Sequence, residues 1–288
     1  MPRVNVGKRD QWQELVRSVS DDDGLRTREA GDWTADKLWF WHRYVNIAAK
    51  AMVGKPGWEG GVFYVDLFAG PGVCTLRDSG TRIPGSPLIA AHAPKPFTRI
   101  LLAELDPNAA AACRVRMDKT DAASSYRLFE GDCNTRIAEI ARDIPRRALT
   151  LVFADPSGLD IDYETVASLS RRGNVDLLIL LADAMDAVRN LAHYMEPGSK
   201  MDRFLGPDSG WRERLKGLRG AALRQALRSL YEKQLRRLGY QHFAHKTIRG
   251  ERGPLYKLVF ASKHELGLDF WRKAARKHRS GQQGLFDY

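Results

Sequence analysis

No apolar run in this 288-residue chain approaches the roughly 18 residues needed to span a bilayer. The stretch Met1-Pro-Arg-Val-Asn-Val-Gly-Lys-Arg-Asp10 also lacks the apolar core of a signal peptide. Membrane-spanning and secreted classes are therefore not expected, and the cytoplasm is the expected location. Cysteine is scarce: Cys74, Cys113 and Cys133 lie 39 and 20 residues apart and form no close pair with metal-ligand spacing. Reduced thiols are expected, with neither a zinc site nor a disulfide framework. Internal repeats and low-complexity linkers are absent as well, so a single domain with terminal additions is expected.

What is present is an ordinary soluble composition, 43% hydrophobic and 28% charged, long enough to bury one large core. The net charge of +11 is unevenly spread. Residues 211–288 hold 19 Lys and Arg against 6 Asp and Glu, a net of +13, whereas residues 1–210 are at −2. Such a segment is either a polyanion-binding surface, most often for nucleic acid, or a solvated basic face. Its candidate contacts are Arg224, Arg228 and Arg236 on an amphipathic helix over Gly220 to Leu238, and Arg272, Lys273, Arg276 and Lys277 on a helix over Leu268 to His278.

The run Val62-Phe-Tyr-Val-Asp66 reads as a buried strand entering the glycine turn Leu67-Phe-Ala-Gly-Pro-Gly72. Strand-to-glycine turns are where open α/β sheets admit ligands, because backbone approaches closely only where Cβ is missing. Asp66 would meet a polar or cationic group there. Four more strands are expected, near Arg99–Glu104, Tyr126–Glu130, Leu149–Ala154 and the apolar Asn174–Leu181, and they lead to Glu104, Asp132, Asp155 and Asp183. Between the first strand and Ser86, which would cap a helix with Pro87 at its first position, lies an excursion over 73–84. Thr34 would cap a helix to Met52 in which His42 is a core residue, and residues 1–33 read as an adaptable arm. A hairpin over 240–261 closes the pattern. The fold class expected is α/β: a doubly wound, mostly parallel sheet with a C-terminal antiparallel hairpin and added helices. It divides into an arm (1–33), an α/β domain (34–265) and a basic helix and tail (266–288).

The strand ends carry the chemistry. A carboxylate at Glu104 suits ribose hydroxyls, and Asp106 caps the next helix. Asp132 either accepts from an adenine amine or caps a helix. The Asp155-Pro156-Ser157-Gly158 end either accepts from a substrate amine or is a β-turn. In order, these match the methionine, ribose, adenine and substrate positions of a class I S-adenosyl-L-methionine methyltransferase. The cofactor contacts would be Asp66, Phe68, Gly70, Gly72, Ser86, Glu104, Asp132 and Cys133, and the catalytic element Asp155, Pro156 and Ser157. A nicotinamide dinucleotide site fits less well, because the turn lacks the third glycine of that fingerprint.

Tyr64-Val-Asp-Leu-Phe-Ala-Gly-Pro-Gly72, Gly85-Ser-Pro-Leu88, Glu104-Leu-Asp106, Gly131-Asp-Cys-Asn134, Asp155-Pro-Ser-Gly158, Asp202-Arg-Phe-Leu-Gly206 and Leu255-Tyr-Lys-Leu-Val-Phe-Ala-Ser-Lys-His264 together resemble the bacterial three-Cys-motif partner protein family. The resemblance runs from Thr34 to Trp271. The cysteines of that name belong to the partner, so Cys74, Cys113 and Cys133 are not the motif. The resemblance implies a Rossmann-type methyltransferase-like protein and a three-Cys-motif protein as partner. The Asp155 block is also similar to the Asp-Pro-Pro-Tyr element of amino-methyltransferases acting on nucleic-acid bases, except that Gly158 cannot stack on a base, leaving Tyr163 or Tyr194 to do so. Methyl transfer to a base amine is thus the expected function, and the alternative is a catalytically silent scaffold binding the partner protein.

Overall fold

The computed structural model describes residues 11–182, 186, 188–250 and 253–276, so Asp183, Lys277 and the tail that follows lie outside the described residues. The chain opens with α1 (Gln11–Ser18) and β1 (Arg28–Ala30), then α2 (Trp33–Met52). Three strands and a short helix come next: β2 (Val62–Asp66), β3 (Val73–Leu76), β4 (Arg82–Pro84) and α3 (Ser86–Ala91). Strands and helices then alternate through β5 (Arg99–Glu104), α4 (Pro107–Met117), β6 (Tyr126–Glu130), α5 (Cys133–Arg142), β7 (Leu149–Ala154), α6 (Tyr163–Ser170) and β8 (Asn174–Leu181). Helices α7 (Val188–Tyr194), α8 (Lys200–Leu205), α9 (Trp211–Leu215) and α10 (Gly220–Arg237) lead to the hairpin β9 (His242–Gly250) and β10 (Gly253–Ser262), and α11 (Glu265–Ala275) follows.

Seven strands form one sheet in the order β6-β5-β2-β7-β8-β10-β9. The first five of these are mutually parallel, and β10 runs antiparallel to both β8 and β9. Helices cover both faces, so the central strands read as continuous apolar runs rather than alternating ones. This is the doubly wound, mostly parallel α/β class expected, with its C-terminal hairpin. Tyr64, Leu151, Phe153, Leu178 and Phe260 face one core with α2 and α11, where Trp41 stacks on Phe153 at 4.7 Å and donates to Tyr64 Oη at 2.9 Å. Phe63, Val65, Val152, Ile179 and Val259 face the other, beneath α5, α6 and α10. The expected core face of α10 is as observed: Leu223, Leu227, Leu230, Tyr231 and Leu235 are all buried.

Several local expectations differ. The excursion over 73–84 is an antiparallel hairpin, β3 with β4, onto which β1 adds in parallel as a second, three-stranded sheet. The N-terminal arm is therefore packed: Trp12 and Leu15 are buried, and Arg28 pairs with Cys74 in register. Thr34 does not cap α2. The helix starts one residue earlier, Thr34 N already donates to Gly31 O, and its hydroxyl is buried without a partner. Strand β8 is not wholly apolar in character, because Asp176 is buried within it and accepts from Tyr44 Oη at 2.7 Å.

Arg116 fixes the arm to the glycine turn. Its guanidinium, 5% exposed, reaches Asp23 at 2.8 and 2.9 Å and donates to the carbonyls of Arg26 (2.8 Å) and Pro71 (2.6 Å). That pairing holds the Asp23 carboxyl well below the usual carboxylate range. Arg116→Ala takes this donor from the Arg26 and Pro71 carbonyls and leaves Asp23 to Arg82 at 2.6 Å, and a loss of about 3 kcal/mol is expected in denaturant melts. Faster hydrogen exchange over residues 23–30 should accompany it. Asp66, at the end of β2, is fully buried, and burial pushes its carboxyl up to about 7 from the ordinary 3.8. The folded state thus favours the neutral acid: the stabilisation is present below about pH 4 and is lost as pH rises through 7. In Asp66→Asn this dependence should be absent, so the stability of the variant relative to wild type should rise between pH 4 and pH 8, by on the order of a few kcal/mol, as read from melts across that range.

Candidate functional site

After β2 the chain moves outward to β5 and β6, then returns to β7 on the other side of β2. The loops leaving β2 and β7 diverge, and this switch point is where a parallel sheet opens a crevice. The turn after β2 enters it with Gly70 and Gly72 at φ of 65° and 85°, values that favour glycine. A Cβ at Gly85 would meet the Gly72 carbonyl carbon and oxygen at 3.0 Å, so α3 begins directly against the turn. Gly85 precedes that helix, and Ser86 is its first residue rather than its cap. The buried Ser86 side chain partly offsets the larger upward push of burial on the Asp66 carboxyl.

The neighbouring strand ends hold the turn in place. Glu104 Oε2 accepts from Gly70 N at 2.7 Å and Oε1 from Asp106 N at 2.8 Å. Asp106 caps α4, as its spacing predicts, through Asn108 N at 2.9 Å, and pairs with Arg26 at 2.7 Å. Asp132 takes the capping role on α5, accepting from Asn134 N at 2.9 Å, and still borders the crevice. Cys133 beside it is buried, which pushes its thiol up to about 12.

The crevice has a volume of about 640 Å³, within the ~300–1,000 Å³ of small-molecule sites. It brings together Phe68, Gly70, Glu104, Asp132, Cys133, Asp155 and Ser157 among the sequence-predicted residues. Gly72 and Ser86 border an adjoining cavity of about 240 Å³, which shares Phe68, Gly70 and Asp155 with the first. Asp66 and Pro156 are buried and border neither cavity, so direct ligand contact by these two side chains, as expected from sequence, is not what the geometry provides.

Three features escaped the sequence reading. Leu105, between two carboxylates, is 71% exposed and presents an apolar surface to the crevice. Its place directly after Glu104 at a strand end was the available signal. Lys37 lies on the apolar side of α2, one turn before Trp41; it is 2% exposed, and its ammonium contacts Asp155 Oδ2. Arg28 of β1 reaches the same oxygen at 3.6 Å, which pushes the guanidinium further up. Trp33 and Tyr256, 4.6 Å apart, form an aromatic wall of the smaller cavity.

The element after Asp155 is tightly packed. Ser157 is exposed, with Oγ 3.5 Å from Asp160 Oδ2. A Cβ at Gly158 would lie 2.5 Å from Asp186 Oδ2, so a larger side chain there would require the Asp186 carboxylate to move. Tyr194 is buried and donates to Asp186 Oδ1 at 2.6 Å, while Tyr163 packs against Gly206. Neither tyrosine borders the crevice, which removes both as base-stacking candidates. The basic residues are divided. Arg224, Arg228 and Arg236 lie on α10 and Arg272, Lys273 and Arg276 on or at the end of α11, helices that pack on opposite faces of the sheet.

No family model matches the chain, and no curated protein is detectably similar to it in sequence. Solved structures resemble it remotely. A Klebsiella pneumoniae protein described as an O-methyltransferase aligns at 11% identity and a TM-score of 0.49, with 90% of this chain and 93% of that one covered. An O-methyltransferase from Bacillus cereus in complex with SAH aligns at 10% and 0.48, covering 90% and 94%. The O-methyltransferase TomG from Streptomyces achromogenes, involved in tomaymycin synthesis and in complex with SAM, aligns at 12% and 0.44, covering 88% and 100%. At such identities and scores, what this crevice binds has to be argued from its own residues.

Proposed function

We propose that the protein is an S-adenosyl-L-methionine-dependent methyltransferase. The observation that supports this most is the convergence of the Gly70 turn, Glu104, Leu105, Asp132 and Asp155 on one crevice at the switch point. The residues fit the cofactor in sequence order. The turn offers close backbone approach to the amino-acid end. Glu104 keeps lone pairs beyond those used by the two amides for ribose hydroxyls. Leu105 supplies an apolar surface for the adenine, with Asp132 beside it. Asp155 lies where the crevice meets the second cavity, the place for a methyl acceptor. The cofactor supplies an activated methyl group; the protein's task is to hold it and the acceptor in line and exclude water.

The finer reading is that the substrate is a nucleic acid. It rests on α11, whose Arg272, Lys273 and Arg276 are exposed together. Base-amine transfer would additionally need an aromatic stacking partner, and Gly158 supplies none. The alternative, a catalytically silent scaffold for a three-Cys-motif partner protein, with or without cofactor, is told apart by an assay of methyl transfer itself.

Calorimetric titration with S-adenosylmethionine and S-adenosylhomocysteine is expected to show binding. Leu105→Asp should weaken it at least about tenfold with little change in melting temperature, since the side chain is already exposed. Glu104→Gln, which retains an acceptor for the turn, should weaken it comparably. Absence of binding at millimolar ligand would end the cofactor reading. For the nucleic-acid reading, the double variant Arg272→Glu, Lys273→Glu should bind an oligonucleotide more weakly and reduce its log–log salt slope by roughly two. An unchanged slope removes α11 from that contact.

A further inference from the structure

Two half-satisfied charges meet where the cavities join. Lys37 and Asp155 are 2% and 6% exposed, and both border the smaller cavity. The Lys37 ammonium carries three N–H donors. Asp155 takes one and the Trp33 ring lies 5.0 Å from Nζ, so donors remain unmatched among the described residues. Asp155 Oδ1 is buried with no hydrogen-bond partner among the described residues. Buried charges with unused donors and acceptors are costly, so a ligand supplying both complements would be favoured here.

A hydroxyl is such a ligand. Its oxygen can accept from Lys37 with one lone pair and keep the second for attack, while its proton is donated to Asp155 Oδ1. An exocyclic amine has a single lone pair, which must attack the methyl carbon, so it has nothing to offer Lys37. Trp33 and Tyr256, their rings tilted at 34° to one another, give the cavity an aromatic wall against which a flat ring can pack.

We infer that the smaller cavity takes a ring-borne hydroxyl as methyl acceptor, with Lys37 donating to the acceptor oxygen and Asp155 receiving its proton. The inference rests on the cofactor reading above. The acceptor oxygen forms a bond to the methyl carbon, the carbon–sulfur bond breaks with its electron pair left on sulfur, and the hydroxyl proton passes to Asp155 Oδ1 and on to water.

Phenol and aniline share a ring and differ at this atom, which makes them the probe. Titrated into the full chain saturated with S-adenosylhomocysteine, phenol is expected to bind at least about tenfold tighter than aniline. Lys37→Met should abolish that preference while the S-adenosylhomocysteine affinity is retained. Should that variant not fold, Lys37→Arg, which keeps the charge and moves the donors, should weaken phenol and leave aniline unchanged. Equal or tighter aniline binding by the wild type, or a preference that survives in the Lys37 variant, overturns the acceptor assignment with the cofactor reading intact. Failure to bind S-adenosylhomocysteine removes the cofactor reading, and the acceptor assignment with it.

Discussion

One carboxylate holds together the edge of the sheet on which the site is built. Glu104 accepts from the amides of Gly70 and Asp106, tying the turn after β2 to the turn after β5. Hydrogen bonds from backbone amides to an ionised carboxylate are about twice as strong as neutral ones. They fix the glycine turn to the neighbouring strand end, adding to the burial of Leu67 and Ala69. The neighbouring acids then have to be reconciled with this anion. Asp155 is matched by Lys37 and Arg28, Asp106 by Arg26, and Asp132 by a helix start. Asp66 has no cation, is fully buried, and is the acid driven upward, first by burial and further by the Asp155 and Glu104 charges. Burial thus sets Asp66, beneath the crevice, apart from the paired and capping carboxylates around it.

The N-terminal segment completes the crevice as a wall. Asp23 is gripped by Arg116, Arg26 pairs with Asp106, and β1 adds to β3, which carries Arg28 to Asp155. The link from sequence to function here passes through tertiary packing: a polar stretch with little periodicity becomes ordered because buried and half-buried guanidinium groups need its carboxylates and carbonyls. The smaller cavity exists only because that segment is in place, since Arg28, Glu29 and Ala30 help to enclose it.

Much of the fold was legible because the central strands are buried on both faces, and each announces itself as an apolar run ending in an acid. The caps at Asp106 and the buried face of α10 were legible for the same reason: helix periodicity and cap chemistry are local. What was hidden depends on partners distant in the chain. Lys37 and Asp155 are 118 positions apart, so neither reveals the other, and a lysine on an apolar helix face reads as an exception rather than a site. Strands β1, β3 and β4 have three or four residues each, too short for alternation to register. Ser86 sits at a helix start where a cap is expected, yet Gly85 takes the cap position and Ser86 becomes the first residue of α3. Gly158 looked like a turn residue, and only the fold shows the Asp186 carboxylate packed where its Cβ would be.

The basic C-terminal segment shows most clearly how a linear count differs from a field. Its net of +13 is real, but α10 and α11 are on opposite sides of the sheet. Helices are about 10 Å across with side chains, so two helix layers and a sheet separate their outer faces by well over the ~8 Å Debye length at physiological ionic strength. The two sets of charges therefore act independently on anything outside. Some of the cations are also engaged within the fold. Arg236 lies over the Phe243 ring at 4.4 Å, and Lys263 donates to the carbonyls of Ser170 and Gly173, its ammonium pushed down by burial. A polyanion approaching α11 would meet the local potential of Arg272, Lys273 and Arg276, partly offset by Asp269 at 3.6 Å from Arg272, and not the charge of the whole segment. The strength of any such contact is set by that helix, whereas the buried pair of Lys37 and Asp155 borders the smaller cavity and adds nothing to the potential there.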